Sequence, residues 1–237
     1  MTTQQPAVGG DAATAFARSA PGMQRSAPNA LAPEIVAAFD FDGTLTRRDT
    51  VVDFLVRACG RRRVAAAVGK ALASERSVDR QLRRATSHRD RIKERLSLEL
   101  LGGRSAAELE EIGAEFAKEI QKTRLRPHMR GRLEGHRAAG HSVVIVSASY
   151  SFYLDPLGEA LGVDAVLCTK VEVDRAGICT GRLEGGNCRG PVKVARLQAW
   201  AGSRPHELHA YGDSPGDAEL LASAAVATWV KRSRNVR

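Results

Sequence analysis

Two aspartates separated by one residue open the first chemically distinctive segment of the chain, Asp40-Phe41-Asp42-Gly43-Thr44-Leu45-Thr46. Alternation along an extended backbone would send their side chains to opposite faces, so both reach one site only if the chain bends after Asp40, which Gly43 permits. Three further polar positions follow short apolar runs or open a helical pattern. Ser147 comes after Val143 to Val146, Lys193 lies just past Gly190-Pro191, and Gly212-Asp213-Ser214-Pro215-Gly216-Asp217 follows Leu208 to Tyr211. Each has an ordinary structural reading: Ser147 as a helix cap, Lys193 as a solvated helix residue, Asp213 and Asp217 as turn and cap residues. Their shared placement where strands end, which is where ligands bind in open α/β sheets, points instead to one site.

Together these residues supply what phosphoryl transfer asks for. Oxygen ligands from Asp40 and Asp213, with waters and the Asp42 carbonyl, suit octahedral Mg2+, which prefers few carboxylates and retains water. Magnesium would offset the repulsion between an anionic phosphate and a carboxylate nucleophile. Asp40 could then attack phosphorus to form an aspartyl phosphate, while Asp42 protonates the leaving oxygen and later takes a proton from water. Ser147, the backbone N–H of Ala148 and Lys193 would bind the equatorial oxygens, whose charge must be stabilised.

Such a site needs strands to deliver it. Ile35 to Phe39, Val143 to Val146, Ala165 to Leu167, Leu208 to Tyr211 and Val226 to Val230 read as short buried strands. Helical patterns lie between them at Arg130 to Ala139, Phe152 to Leu161, Val192 to Trp200 and Asp217 to Ala222. The alternation predicts an α/β fold with a doubly wound parallel sheet. From Thr50 to about Leu125 the rhythm breaks into helical segments alone. Ser105 with Glu108 forms a capping box before the stripe Leu109, Ile112, Phe116, Ile120, and Ser87 is placed to cap the helix of Ile92, Leu96 and Leu100. The expected organisation is a flexible tail over 1–33, a core built from 34–49 and 126–237, and a helical bundle inserted over 50–125.

With these residues in order, the chain resembles the haloacid dehalogenase-like phosphatases, in the branch with a helical cap after the first motif that includes phosphoserine phosphatase. The resemblance covers about residues 34 to 230 and is specific as a set of four motifs. It implies a Rossmann-like core with an inserted helical-bundle cap, Mg2+ as cofactor, Asp40 as nucleophile, Asp42 as general acid and base, and Asp213 as a metal ligand. Asp217 is implied to support the metal's waters and the lysine. The chain departs from the phosphoserine enzymes in two places. Asp49 stands where they carry a glutamate that meets the substrate's amino group, and is one methylene shorter. Ser147-Ala148-Ser149-Tyr150 lacks the glycines that follow the second-motif serine.

Composition bounds the alternatives. Hydrophobic residues make up 43% and charged residues 27% of the 237 residues, which supports a buried core. No apolar run approaches the roughly 20 residues of a membrane span, and no secretory signal is evident, so the expected location is cytoplasmic. The four cysteines show neither disulfide nor zinc spacing. The formal charge of +9 is concentrated between Arg57 and Arg95, where 13 Lys/Arg face 4 Asp/Glu. That excess keeps two rivals to a small phosphorylated metabolite in view. One is a lipid headgroup phosphatase or phosphotransferase docking peripherally on a membrane; the other is a nucleic-acid-binding module, argued against by the scarcity of aromatic residues for base stacking.

Overall fold

The computed structural model describes residues 33–75, 87–204 and 206–231. The expected tail, the Arg83-Arg84 pair and the segment after Lys231 lie outside the described residues. A six-stranded sheet forms the centre, built from β1 (Glu34–Phe39), β2 (Ser142–Tyr150), β3 (Ala165–Val173), β4 (Cys179–Glu184), β5 (His206–Gly212) and β6 (Val226–Trp229), in the order β4-β3-β2-β1-β5-β6. All neighbours are parallel except β3 and β4, which pair antiparallel. Strand β1 is central, with Phe39 in register with Ile145 on one side and Tyr211 on the other.

Side-chain alternation splits the core between the two sheet faces. Val36, Ala38, Val144, Val146, Leu208 and Ala210 pack under α7 (Pro191–Ala201) and α8 (Ala218–Ala222) through Leu197, Leu220 and Leu221. Ala37, Phe39, Val143, Ile145 and Tyr211 face the other way, joined by Met129 and Leu133 of α5 (Pro127–Ala138) and Leu154 and Leu157 of α6 (Ser151–Leu161). Burial on both faces explains why the strands read as continuous apolar runs.

Between β1 and β2 come α1 (Val51–Cys59), α2 (Arg61–Glu75), α3 (His88–Leu101) and α4 (Ala106–Thr123). The chain enters and leaves this stretch through a single bridge, Thr46 to Leu125, and Arg126 reinforces it by donating from Nε to the Thr46 carbonyl at 3.0 Å. Ser87 caps α3, accepting from the Asp90 N–H at 3.2 Å. Ser105 caps α4 by accepting from the Glu108 N–H, while Glu108 pairs with Arg104. Phe54 and Phe116 meet Tyr153 of α6 at ring-centroid distances of 5.1 and 5.4 Å, which seats α1 and α4 on the same apolar cluster as the sheet.

Strand β4 was not expected. Cys179 and Gly181 are buried while their neighbours are exposed, a period of two that Gly181 dilutes because glycine carries no β preference. The four cysteines are free thiols, three of them buried. Among the described residues no helix is long and apolar enough to cross a membrane.

Three of the six histidines, His136, His141 and His209, form a structural cluster. His136 Nε2 lies 2.8 Å from the Tyr211 hydroxyl, its Nδ1 lies 2.8 Å from His141 Nδ1, and its ring meets Phe39 edge-on at 6.0 Å. Burial, then repulsion from His141, lowers its pKa to about 4. The unfolded chain therefore takes up this proton first, and stability present above about pH 6.5 falls as pH drops toward 4. Replacing His136→Gln is expected to flatten the melting temperature across that window; an unchanged slope would remove His136 as the cause.

Helix α4 crosses α6 at Gly113, where a Cβ would come within 2.5 Å of the Phe152 carbonyl carbon. Gly113→Ala should lower stability by about 1–3 kcal/mol, read as a lower urea midpoint at unchanged slope. A midpoint equal to that of the parent protein would contradict this packing.

Candidate active site

The site lies at the carboxyl end of the central strands. After β1 the chain leaves the sheet through Asp40, whose N–H still donates to the Tyr211 carbonyl at 2.9 Å, and enters an irregular turn over Phe41–Leu45. Gly43 adopts φ +90°, and a Cβ there would stand 2.5 Å from the carboxyl carbon of Asp213. Both the conformation and the contact require glycine. The absent side chain lets the turn after β1 and the turn after β5 approach closely.

Lys193, near the start of α7, projects beneath these turns. It is 2% exposed, and its Nζ donates to Asp40 Oδ1 and to Asp217 Oδ1, each at 2.6 Å. Burial alone would depress the ammonium, but Asp40 and Asp217 outweigh it and hold the pKa above its ordinary value. Asp217 also accepts through Oδ2 from the Ser214 hydroxyl at 2.8 Å and the Ser214 N–H at 3.0 Å. Despite its burial, Lys193 and Ser214 keep its pKa below normal. Asp40 differs. Burial raises its pKa to about 6, Lys193 offsets only part of this, and Asp217 and Asp213 push further upward.

Carboxylate oxygens of Asp40, Asp213 and Asp217 lie within 4.8 Å of one another. One ammonium touches two of them, so the group still carries more negative than positive charge. An oxygen-only donor set with excess negative charge fits a hard divalent cation such as Mg2+. The Asp42 carboxylate stands outside this trio. It accepts from the Thr50 hydroxyl at 2.8 Å, the Thr50 N–H at 3.0 Å and the Ser149 hydroxyl at 2.6 Å. Burial and then repulsion from Asp49 raise its pKa to about 7, a value at which a carboxyl holds or releases a proton near neutrality.

The second-motif residues sit where β2 departs from regular pairing. Ser147 pairs with Cys168 and Tyr150 with Thr169, so Ala148 and Ser149 form a bulge in β2. Bulges of this kind re-aim side chains beside active sites. Ser147 is buried, its hydroxyl accepts from the Ser149 N–H at 3.1 Å, and Ser149 turns toward Asp42. Asp49 lies at the rim, where its Oδ1 accepts from the Val51 N–H at 2.9 Å.

Asp40, Asp42, Asp49, Ser147, Ala148, Lys193 and Asp217 all border one cavity of about 450 Å³, and Asp213 adjoins it through the Asp40 cluster. Thr50, Ser149 and Lys93 belong to the same surroundings and went unnoticed in the sequence. Ser149 had a local signal in its two-residue spacing from Ser147. Thr50 and Lys93 had none, because their contacts, to Asp42 and to the Ala148 carbonyl, span residues far apart in the chain or cross a turn.

The haloacid dehalogenase-like hydrolase profile matches residues 37–222, and the chain belongs to that family. It is 34% identical over 191 residues to Protein CicA of Caulobacter vibrioides, covering 80% of this chain and 83% of that one. It is also 27% identical over 209 residues to a phosphoserine phosphatase of Polaromonas, covering 84% and 80%. A solved structure of a Bordetella pertussis Tohama I protein of unknown function superimposes with a TM-score of 0.62 at 28% identity, over 81% of this chain and 87% of that one.

Removing the buried ammonium leaves two neighbouring carboxylates without their common partner. Lys193→Met is expected to cost about 3–5 kcal/mol in urea unfolding without added metal. A loss below about 1 kcal/mol would show that the ion pair does not organise the site.

Proposed function

We propose that this haloacid dehalogenase-like phosphatase hydrolyses a small phosphomonoester in two steps, with Asp40 as nucleophile. The observation that carries the reading is the Asp40–Lys193–Asp217 pairing beside Asp213 at the floor of the cavity. In the first step an Asp40 carboxylate oxygen bonds to phosphorus as the ester oxygen departs, and Asp42 gives that oxygen its proton. In the second step Asp42 takes a proton from water, the water oxygen bonds to phosphorus, and the bond between phosphorus and the Asp40 oxygen breaks, which restores the Asp40 carboxylate and releases inorganic phosphate. Ser147, the Ala148 N–H and Lys193 hold the equatorial oxygens, on which negative charge must be stabilised. Thr50 and Ser149 fix the Asp42 carboxyl so that its proton is presented in one orientation.

Asp40, Asp213 and the main-chain oxygen of Asp42 would hold Mg2+, with Asp217 supporting its waters. When bound, the ion would supply the positive charge that lets an anionic nucleophile approach an anionic ester. We assign the helices over 50–125 the role of a cap that limits water at the reacting centre. Support comes from their entry and exit through the Thr46–Leu125 bridge and from the cavity residues contributed by α1 and α3.

Phosphate release from p-nitrophenyl phosphate is expected to require Mg2+, to stop on chelation and to return when the ion is restored. Asp40→Asn should lower kcat by roughly 10³-fold or more, the scale seen when a nucleophile is removed. Undiminished turnover in that variant would overturn the assignment of Asp40.

A further inference from the structure

The cavity continues well beyond the aspartate cluster, and its outer wall has the opposite charge. Arg47, Arg48, Arg89, Lys93 and Arg189 line it, against a single outer carboxylate, Asp49. Among the described residues, none of these four arginines forms an ion pair, and Arg189 reaches only the Ser87 hydroxyl, at 3.5 Å. Asp49 is already engaged by the Val51 N–H. Lys93 is the innermost of the five. It is 9% exposed, its ammonium donates to the Ala148 carbonyl, and it lies 4.3 Å from the centroid of the Tyr150 ring. An ammonium has three donors, and a ring face takes up charge without accepting a directed bond as an oxygen does. Lys93 therefore retains N–H donors for a ligand in the cavity, one residue along the bulge from Ser147.

Five cations against one engaged carboxylate, in a partly enclosed space, focus a positive potential outward from the reacting centre. An ammonium group on the substrate would be repelled there. A single carboxylate would use one guanidinium fork and leave the others without a counter-charge. A phosphate group, with about two negative charges and three acceptor oxygens, matches several of these donors at once. Val52 and Ile92 lie on the same wall and offer apolar contact to a short linker.

We infer that the outer wall is a subsite for a second phosphate, so that the preferred substrates are small bisphosphorylated metabolites from which one phosphate is removed. This rests on the phosphatase reading above and specifies its substrate class. The remaining phosphate engages Lys93, Arg89 and the arginines after the first motif, while the scissile phosphate occupies the Asp40 centre. The reaction itself is unchanged: one P–O ester bond is exchanged for one from water.

The test uses the full chain with Mg2+ and four compounds with one scissile chemistry and different tails: propyl phosphate, 2-carboxyethyl phosphate, 2-aminoethyl phosphate and propane-1,3-diyl bisphosphate. Per scissile group, kcat/KM for the bisphosphate should exceed that for propyl phosphate by about tenfold or more, as expected for charge-assisted contacts. The aminoethyl compound should be slowest, and added KCl should shrink the bisphosphate preference. Lys93→Met, and separately the exposed-site variant Arg89→Gln, should each reduce the bisphosphate-to-propyl ratio by about threefold or more. Equal rates for bisphosphate and propyl phosphate, or a carboxyethyl rate above the bisphosphate rate, would overturn the second-phosphate subsite and leave the phosphatase reading standing. Absence of turnover for all four, and for p-nitrophenyl phosphate, would overturn both.

Discussion

Buried negative charge must be answered by positive charge, and the architecture around the sheet follows from meeting that requirement at one point. Removing a carboxylate from water costs several kcal/mol even after relaxation, and the cost is recovered only with good geometry and further hydrogen bonds. Lys193 meets two carboxylates at 2.6 Å each, and Ser214 completes the shell of one of them. The three elements involved are β1, α7 and the turn after β5. They come together because β1 and β5 are neighbours and α7 covers the face they share. The glycine at position 43 belongs to the same constraint, since any side chain there would displace Asp213.

Around that centre the charge is layered. The floor is acidic and fits a divalent cation, while the outer wall is basic and fits an anion. The +9 net charge, read at first as a property of one segment, divides by use. Arg57, Lys70 and Arg91 are spent on Glu119, Glu99 and Glu75, which brace α1 to α4 and α2 to α3. Arg89 and Lys93, on a helix that begins with a cap to Ser87, face the cavity instead. A helix carrying this many charged residues would ordinarily present them to solvent, so the inward-facing lysine marks α3 as part of the site as well as part of the scaffold.

Much of this was legible in the sequence, for identifiable reasons. Strands buried on both faces must be apolar throughout, so β1 and β2 announced themselves, β3, β5 and the exposed edge strand β6 were read from shorter or less apolar runs, and the polar residues after β1, β2 and β5 pointed to the site. The Ser87 and Ser105 caps followed from short-range chemistry. Features that depend on partners distant in the chain were not legible. Strand β4 exists because β3 offers it an edge, and its own alternation is weakened by Gly181. Lys93 sits between Ile92 and Glu94 on a highly charged helix, and nothing local distinguishes it from a solvated residue. The bulge at Ala148 and Ser149 is a property of pairing with β3, which the sequence of β2 alone does not disclose.

The central claim is that the Asp40 carboxylate itself becomes phosphorylated. Rapid acid quench of the enzyme during turnover of p-nitrophenyl phosphate, followed by proteolysis and mass spectrometry, reads this directly. The account predicts a phosphoryl adduct on the peptide containing Asp40, lost on treatment with hydroxylamine and absent from Asp40→Asn. Steady turnover with no covalent phosphate at any time point, or with the adduct on a different residue, would contradict it.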